Sequence, residues 1–270
     1  MEKRRILYIS QEIMPYLPET DMSYIGRYLP QGIQERGNEI RSFMPKYGVV
    51  NERRHQLHEV IRLSGMNVII DDTDHPLIIK VASIQAARMQ IYFIDNEDYF
   101  HRKFILFDDK GVPFEDNDER CIFFARGVLE TVRKLRWSPD IIHCHGWVTG
   151  LIPLYIRNAY QEDPLFSKTK VIYSAYYDDF DHPMNPRFKE KLKIDGIAEE
   201  DVEMLTDASY VNLVKLATQR ADGIIMGVPH INEDLHNHIL SLNKPFLPHQ
   251  SRENLVESYS QFYDQILAND

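Results

Sequence analysis

Short apolar runs, separated by longer stretches with helical spacing, set the layout of this chain. Arg5–Ser10 (RILYIS), Glu39–Met44 (EIRSFM), Asp140–Cys144 (DIIHC), Val171–Ser174 (VIYS) and Gly223–Met226 (GIIM) each read as a buried strand. Gly37 stops the helix before the second run, and the Ser138-Pro139 turn introduces the third. Within 118–136, Cys121, Ile122, Phe124, Ala125, Val128, Leu129, Val132 and Leu135 fall on one helical face, with Asn117 or Asp118 as the expected cap. Tyr210–Arg220 and Asn254–Leu267 carry the same period. Strands alternating with helices predict βαβ units: an α/β fold built on one parallel sheet with right-handed crossovers.

Residues 56–95 differ in texture. Their β-rich pieces (QLHEVIRLSG, NVIIDD, HPLIIKVAS, MQIYFID) come at short spacing and predict an antiparallel hairpin insertion, with Asp71, Asp72 and Asp74 as turn residues. The stretch 178–208, charged and proline-containing, reads as a loop with short helices. The expected organisation is one domain over 1–250 and a final helix, 251–270, packing back on it through Leu255, Tyr259, Phe262, Tyr263 and Ile266.

Composition narrows the partners. With 31 Lys and Arg against 41 Asp and Glu, the net charge of −10 disfavours nonspecific nucleic-acid binding. No apolar run approaches the roughly 20 residues a membrane span requires. The basic, then apolar, start is cut short by Gln11 and Glu12, so it reads as a lead-in to a strand rather than a leader peptide. Two cysteines, Cys121 and Cys144, fit a reducing cytoplasm better than a disulfide scaffold.

Candidate chemistry starts in the loop after the first strand, where open α/β sheets bind ligands. An anion cradle there wants glycines and a Lys or Arg. Residues 18–21 offer Pro18, Glu19, Thr20 and Asp21 instead. His143-Cys144-His145 lies on a strand, so both histidines share a face and Cys144 takes the other; no metal site is expected. His236 and His238 diverge on a helix and read as surface residues. Asp178, Asp179 and Asp181 with His182 read as solvated loop residues, and Tyr173, Tyr176 and Tyr177 as rim or core aromatics able to stack on sugars. No nucleophile–base motif and no P-loop occurs, and no cofactor is implied.

YISQEIMPYL with YLPQGIQERGNEIRSFMPKYG, YFIDNEDYFHR, DNDERCIFFARGVLETV and WSPDIIHCHGWVTGLIPLYIR together carry a resemblance. The chain resembles the N-terminal domain of bacterial glycogen synthases and plant starch synthases, glucosyltransferases of the GT-B fold. The resemblance continues more weakly through VNLVKLATQRADGIIMGVP. It implies a Rossmann-like GT-B half and glucosyl transfer from ADP-glucose to an α-1,4-glucan. It also implies that Glu12, Asn96, His145 and Trp147 keep their family residues, with Tyr176 beside them in the remaining cleft.

Other positions depart from the family. Its K-T-G-G-L loop falls on residues 18–22, so Pro18, Thr20 and Asp21 replace the lysine and both glycines. The Asp of its HxHDW signature falls on Gly146, and the sugar-contacting His of its V-H-N strand end on Ala175. A complete family member is nearly twice as long, and ENLVESYSQFYDQIL resembles the family's closing return helix. The sequence-level expectation is therefore a relative that is non-catalytic alone and binds an α-glucan or a protein partner on the former interdomain face, with self-association as one form. Two alternatives stand beside it: an active enzyme whose second domain comes from another chain, and a small-molecule enzyme reusing a pocket around Glu12, Asp21, His145, Trp147 and Tyr176.

Overall fold

The computed structural model describes residues 3–193 and 195–268. Residues 1–2, 194 and 269–270, which include the outer ends of the expected domain and of its last helix, lie outside the described residues. The chain runs β1 (Arg5–Ser10), α1 (Asp21–Glu35), β2 (Glu39–Pro45), α2 (Glu52–His55), β3 (His58–Glu59), β4 (Met66–Ile70), β5 (Thr73–Ile84) and β6 (Met89–Asp95). It continues through α3 (Glu97–Phe100), α4 (Asn117–Leu135), β7 (Ile141–His145), α5 (Ile152–Arg157), β8 (Lys170–Ala175) and α6 (Phe188–Lys193). Last come α7 (Tyr210–Arg220), β9 (Gly223–Met226), α8 (Glu233–Ser241), β10 (Phe246–Leu247) and α9 (Leu255–Ala268).

The sheet order is β10-β9-β8-β7-β1-β2-β6-β5-β3, with β4 pairing β5. From β10 to β6 every neighbour is parallel; β5 is antiparallel to β6, β3 and β4. The five sequence-read strands are all central ones. The insertion is shorter than the pattern suggests, because β6 is a main-sheet strand alongside β2 and only 56–88 stands outside the parallel core. Asp71 and Asp72 form the β4–β5 turn, both with positive φ.

Alternation along β1 splits the core in two. Leu7 and Ile9 face α4, α5 and α7 with Phe124, Leu154 and Leu213. Ile6 and Tyr8 face α1 and α9 with Ile25, Leu29, Tyr259 and Tyr263. Helix α9 sits close because two glycines leave room. A Cβ on Gly223 would meet Ile266 Cδ1 at 2.6 Å. Val256 occupies the space over Gly32 of α1.

Two sequence expectations are corrected. Helix α4 starts at Asn117 after Asp116, and neither Asn117 nor Asp118 caps it. Asn117 donates to the Leu106 carbonyl, while Asp118 pairs with Lys191 of α6 at 2.6 Å. Residues 18–21 are not all loop, because α1 begins at Asp21. There Thr20 and Ser23 form a reciprocal capping box strong enough to start a helix that later absorbs Pro30.

Candidate functional site

The C-terminal ends of β1, β7, β8 and β9 meet above α1. There Glu12, Thr20, Asp21, Tyr176 and Asp178 line a cavity of about 310 Å³. Its chemistry is acidic. Burial raises the pKa of half-buried Glu12, partly offset by hydrogen bonds from Thr20 and Gln11. Burial likewise pushes Asp178 up to about 7, with the Tyr210 hydroxyl and the Trp147 amide opposing and the Glu12 charge adding to the rise. The Thr20 hydroxyl donates to Glu12 Oε2 at 2.7 Å while accepting from Ser23 N at 3.0 Å. A carboxylate of the chain itself thus stands at the start of α1, where helices favour anions.

Pro18 is exposed and its carbonyl accepts from Ser23 Oγ at 2.9 Å. Exposed Asp21 faces Arg252, whose guanidinium lies 3.9 Å from Asp21 Oδ1 and 2.9 Å from Glu19 Oε1, and stacks on Tyr24 at 3.8 Å. Sequence reasoning missed Arg252, because its distance along the chain hides the contact. Its charge is already engaged by two carboxylates.

Gly146 is not simply an empty position. Its backbone has φ +84° and ψ 163°, a conformation essentially confined to glycine. A Cβ there would lie 2.8 Å from both Gln11 Oε1 and Met22 Cε. Gln11 is itself held, its Oε1 accepting from Val148 N at 3.3 Å and its N donating to the His145 carbonyl at 3.1 Å. Met22 and Gln11 therefore occupy the place where a larger residue would point. Neither is read as a site residue from the sequence, since a buried Met and Gln carry no motif.

His145 and Tyr176 come together, but inside the core. His145 is fully buried and Tyr176 nearly so, with His145 Nδ1 2.9 Å from the Tyr176 hydroxyl and Nε2 without a partner among the described residues. Burial lowers the His145 pKa to about 3. The Tyr176 ring packs over Gly227, and its carbonyl accepts from the Tyr210 hydroxyl at 2.6 Å. The His143 ring lies 3.9 Å from that of His145, tilted by 38°, with Tyr263 Oη and Ser174 Oγ each 2.7 Å from its ring nitrogens. Cys144 faces the opposite core, as alternation requires. Ala175 is buried at the end of β8. Tyr173 is core and Tyr177 is 68% exposed. His236 and His238 are half-buried rather than surface residues.

Two candidates separate from this cavity. Asn96 caps α3, accepting from Asp98 N and Tyr99 N at 3.0 and 3.1 Å and donating to the Pro76 carbonyl. Trp147 turns to a second cavity of about 360 Å³, shared with Phe114, Asn117, Phe180, His182 and Met184. Its ring meets Phe180 edge-on at 4.9 Å, and its indole Nε1 is buried with no partner among the described residues. Asp178 bridges the cavities, accepting from Trp147 N at 3.3 Å and Tyr210 Oη at 3.0 Å. Read in sequence as a solvated loop residue, Asp178 is half-buried instead. Among the described residues, no group of three His, Cys, Asp or Glu side chains is placed to hold a metal ion, and no helix is long and apolar enough to cross a membrane.

The large, mostly parallel sheet, with the Glu12–Asp178 cavity at the carboxyl ends of its strands, matches one half of a GT-B glycosyltransferase framework. The structure superposes with a TM-score of 0.73 on the catalytic domain of starch synthase IV from Arabidopsis thaliana, solved bound to ADP and acarbose. The match covers 93% of this chain and 52% of that one; at 16% identity it shows the shared fold. The family described as starch synthase catalytic domain matches residues 5–239. The glycogen synthase of Chlorobaculum tepidum is 34% identical over 84% of this chain and 48% of its own length. That of Chlorobium limicola is 39% identical over 64% and 35%. The chain belongs to the starch synthase catalytic domain family. It spans about half the length of the curated relatives it matches.

Proposed function

We propose that this chain holds the end of an α-glucan in the Trp147 groove and does not by itself transfer glucose from a nucleotide sugar. The observation that carries the second half is the filling of the Gly146 position by Gln11 and Met22, both within 3 Å of where a side chain would start. The acidic cavity supports it. A nucleotide diphosphate there meets Glu12, Asp21 and Asp178, while the adjacent Arg252 is already paired. Transition-state charge in glycosyl transfer needs preorganised cations or donors, and loss of one such contact typically costs about 10²-fold or more.

The Trp147 cavity supports the first half. A pyranose has an apolar C–H face and a rim of hydroxyls. The cavity is lined by the rings of Trp147, Phe114 and Phe180, and the buried indole N–H of Trp147, a donor only, has no partner among the described residues. Its volume of about 360 Å³ lies within the ordinary range for ligand sites.

The test is a paired assay on the purified chain: retardation on a glycogen-containing gel, and glucose incorporation into glycogen from ADP-glucose. Retardation without incorporation is the expected result. Saturable incorporation overturns the non-catalytic reading, and absence of retardation overturns the glucan reading.

A further inference from the structure

At the opposite edge of the sheet, where β1, β2 and β6 begin, lies a cavity of about 400 Å³ of contrary charge. Lys3, Arg41 and Arg88 line it with the amides of Gln34, Asn38 and Gln90. Glu39 is the one carboxylate among the lining residues. It is already engaged, accepting from Trp137 Nε1 at 2.6 Å and lying 3.5 Å from Lys3 Nζ and 3.9 Å from Arg5 Nε. Its pKa is lowered accordingly, burial aside, by the Trp137 hydrogen bond and by Lys3 and Arg5.

Arg41 is fixed without a counter-ion. Its guanidinium lies 5.2 Å from the Trp137 ring centroid and 5.6 Å from that of Tyr92, and its Nη1 donates to Tyr92 Oη at 2.5 Å. Among the described residues, the buried Nε has no partner and no carboxylate lies within ion-pair distance of Arg41. Arg88, exposed on the turn into β6, likewise pairs with no described carboxylate. A planar guanidinium held on aromatic faces, with a second Arg and a Lys beside it, matches the geometry of phosphate receptors. In a chain of net charge −10, a hollow lined by three cations and one carboxylate, with Arg41 and Arg88 left without a described counter-ion, is an outlier that ordinary surface composition does not explain.

We propose that this hollow binds a small phosphate-bearing solute, with Arg41 and Arg88 as its principal contacts. Its size suits a compact ligand, and the acidic remainder of the chain disfavours an extended polyanion such as a nucleic acid. The inference does not depend on the glucan reading, because the two cavities share no residue.

The test is calorimetric titration of the full chain with inorganic phosphate and with pyrophosphate at fixed ionic strength, against a chloride control. The expected result is saturable binding, tighter for pyrophosphate. Arg88→Gln, which removes no protein contact between side chains, weakens binding about tenfold through loss of one charge-assisted contact, and so does Arg41→Lys with its melting temperature monitored. Arg62→Gln, on an exposed residue outside the hollow, leaves it unchanged. Binding that is absent, equal in the Arg88 and Arg62 variants, or seen only as cosedimentation with anionic phospholipid vesicles overturns the proposal.

Discussion

The Tyr176 hydroxyl lies 2.9 Å from His145 Nδ1, tying the end of β8 to the end of β7 beneath the acidic cavity. Among the described residues Nε2 of the same ring has no partner, so this hydrogen bond alone satisfies the fully buried imidazole. The pair takes part in the packing of the site floor, not in contact with solvent.

Tyr176→Phe strands a buried imidazole, so it should destabilise the fold by about 1–3 kcal/mol, the penalty for an unsatisfied buried polar group. Urea unfolding checks this. An unchanged midpoint with an unchanged slope would mean that the pair contributes nothing.

Restoring an aspartate at Gly146 should not restore a donor site. Gly146→Asp places a side chain on a glycine-only backbone and into Gln11 and Met22, at a combined cost of about 2–5 kcal/mol. Thermal unfolding should show a clear fall in melting temperature, and calorimetry no gain in ADP-glucose binding.

Asp178 makes stability depend on pH in a defined direction. Its folded pKa, about 7, exceeds its ordinary 3.8, so between those values the folded state binds the extra proton. The stabilisation is complete below the lower value and lost as pH rises through the upper. Asp178→Asn should therefore gain stability relative to the parent as pH climbs from 4 to 8, a difference read from denaturant titrations across that range. Equal curves would show that the carboxyl titrates normally.

Trp147→Phe keeps an aromatic face and removes the indole N–H, which no described protein group uses. Glycogen retardation should weaken about fivefold, the worth of roughly 1 kcal/mol for one hydrogen bond, while the urea midpoint falls because the smaller ring leaves space in a fully buried position. Unaltered retardation would remove Trp147 from the binding groove.

Lys191 fastens α6, below the groove's Pro186 wall, to α4 through Asp118 and Glu119, each at 2.6 Å. Lys191→Met leaves Asp118 buried without its partner and should cost about 3–5 kcal/mol by equilibrium unfolding. A loss below about 1 kcal/mol would place the pair among weak surface bridges.

The central strands and α7 were legible because a buried parallel strand is a continuous apolar run and α7 carries an unbroken helical period. The start of α1 was not, since Pro18 and Pro30 suggest a loop and the Thr20–Ser23 capping box lacks the usual Glu or Gln. Within the site, Glu12, Thr20, Asp21 and Tyr176 do gather around one cavity. Asn96 leaves for α3 because its side chain is spent on cap hydrogen bonds, and Trp147 turns into the neighbouring groove. Asp178 and Arg252 were invisible as site residues because their partners, Trp147, Tyr210, Glu19 and Asp21, are remote in sequence.

The most direct measurement is calorimetric titration of ADP-glucose into the purified chain at neutral pH, with and without a maltooligosaccharide. The account predicts no saturable heat from the nucleotide sugar at affinities tighter than about 1 mM, while the oligosaccharide alone binds. Micromolar ADP-glucose binding that Gly146→Asp or Glu12→Gln alters would contradict it.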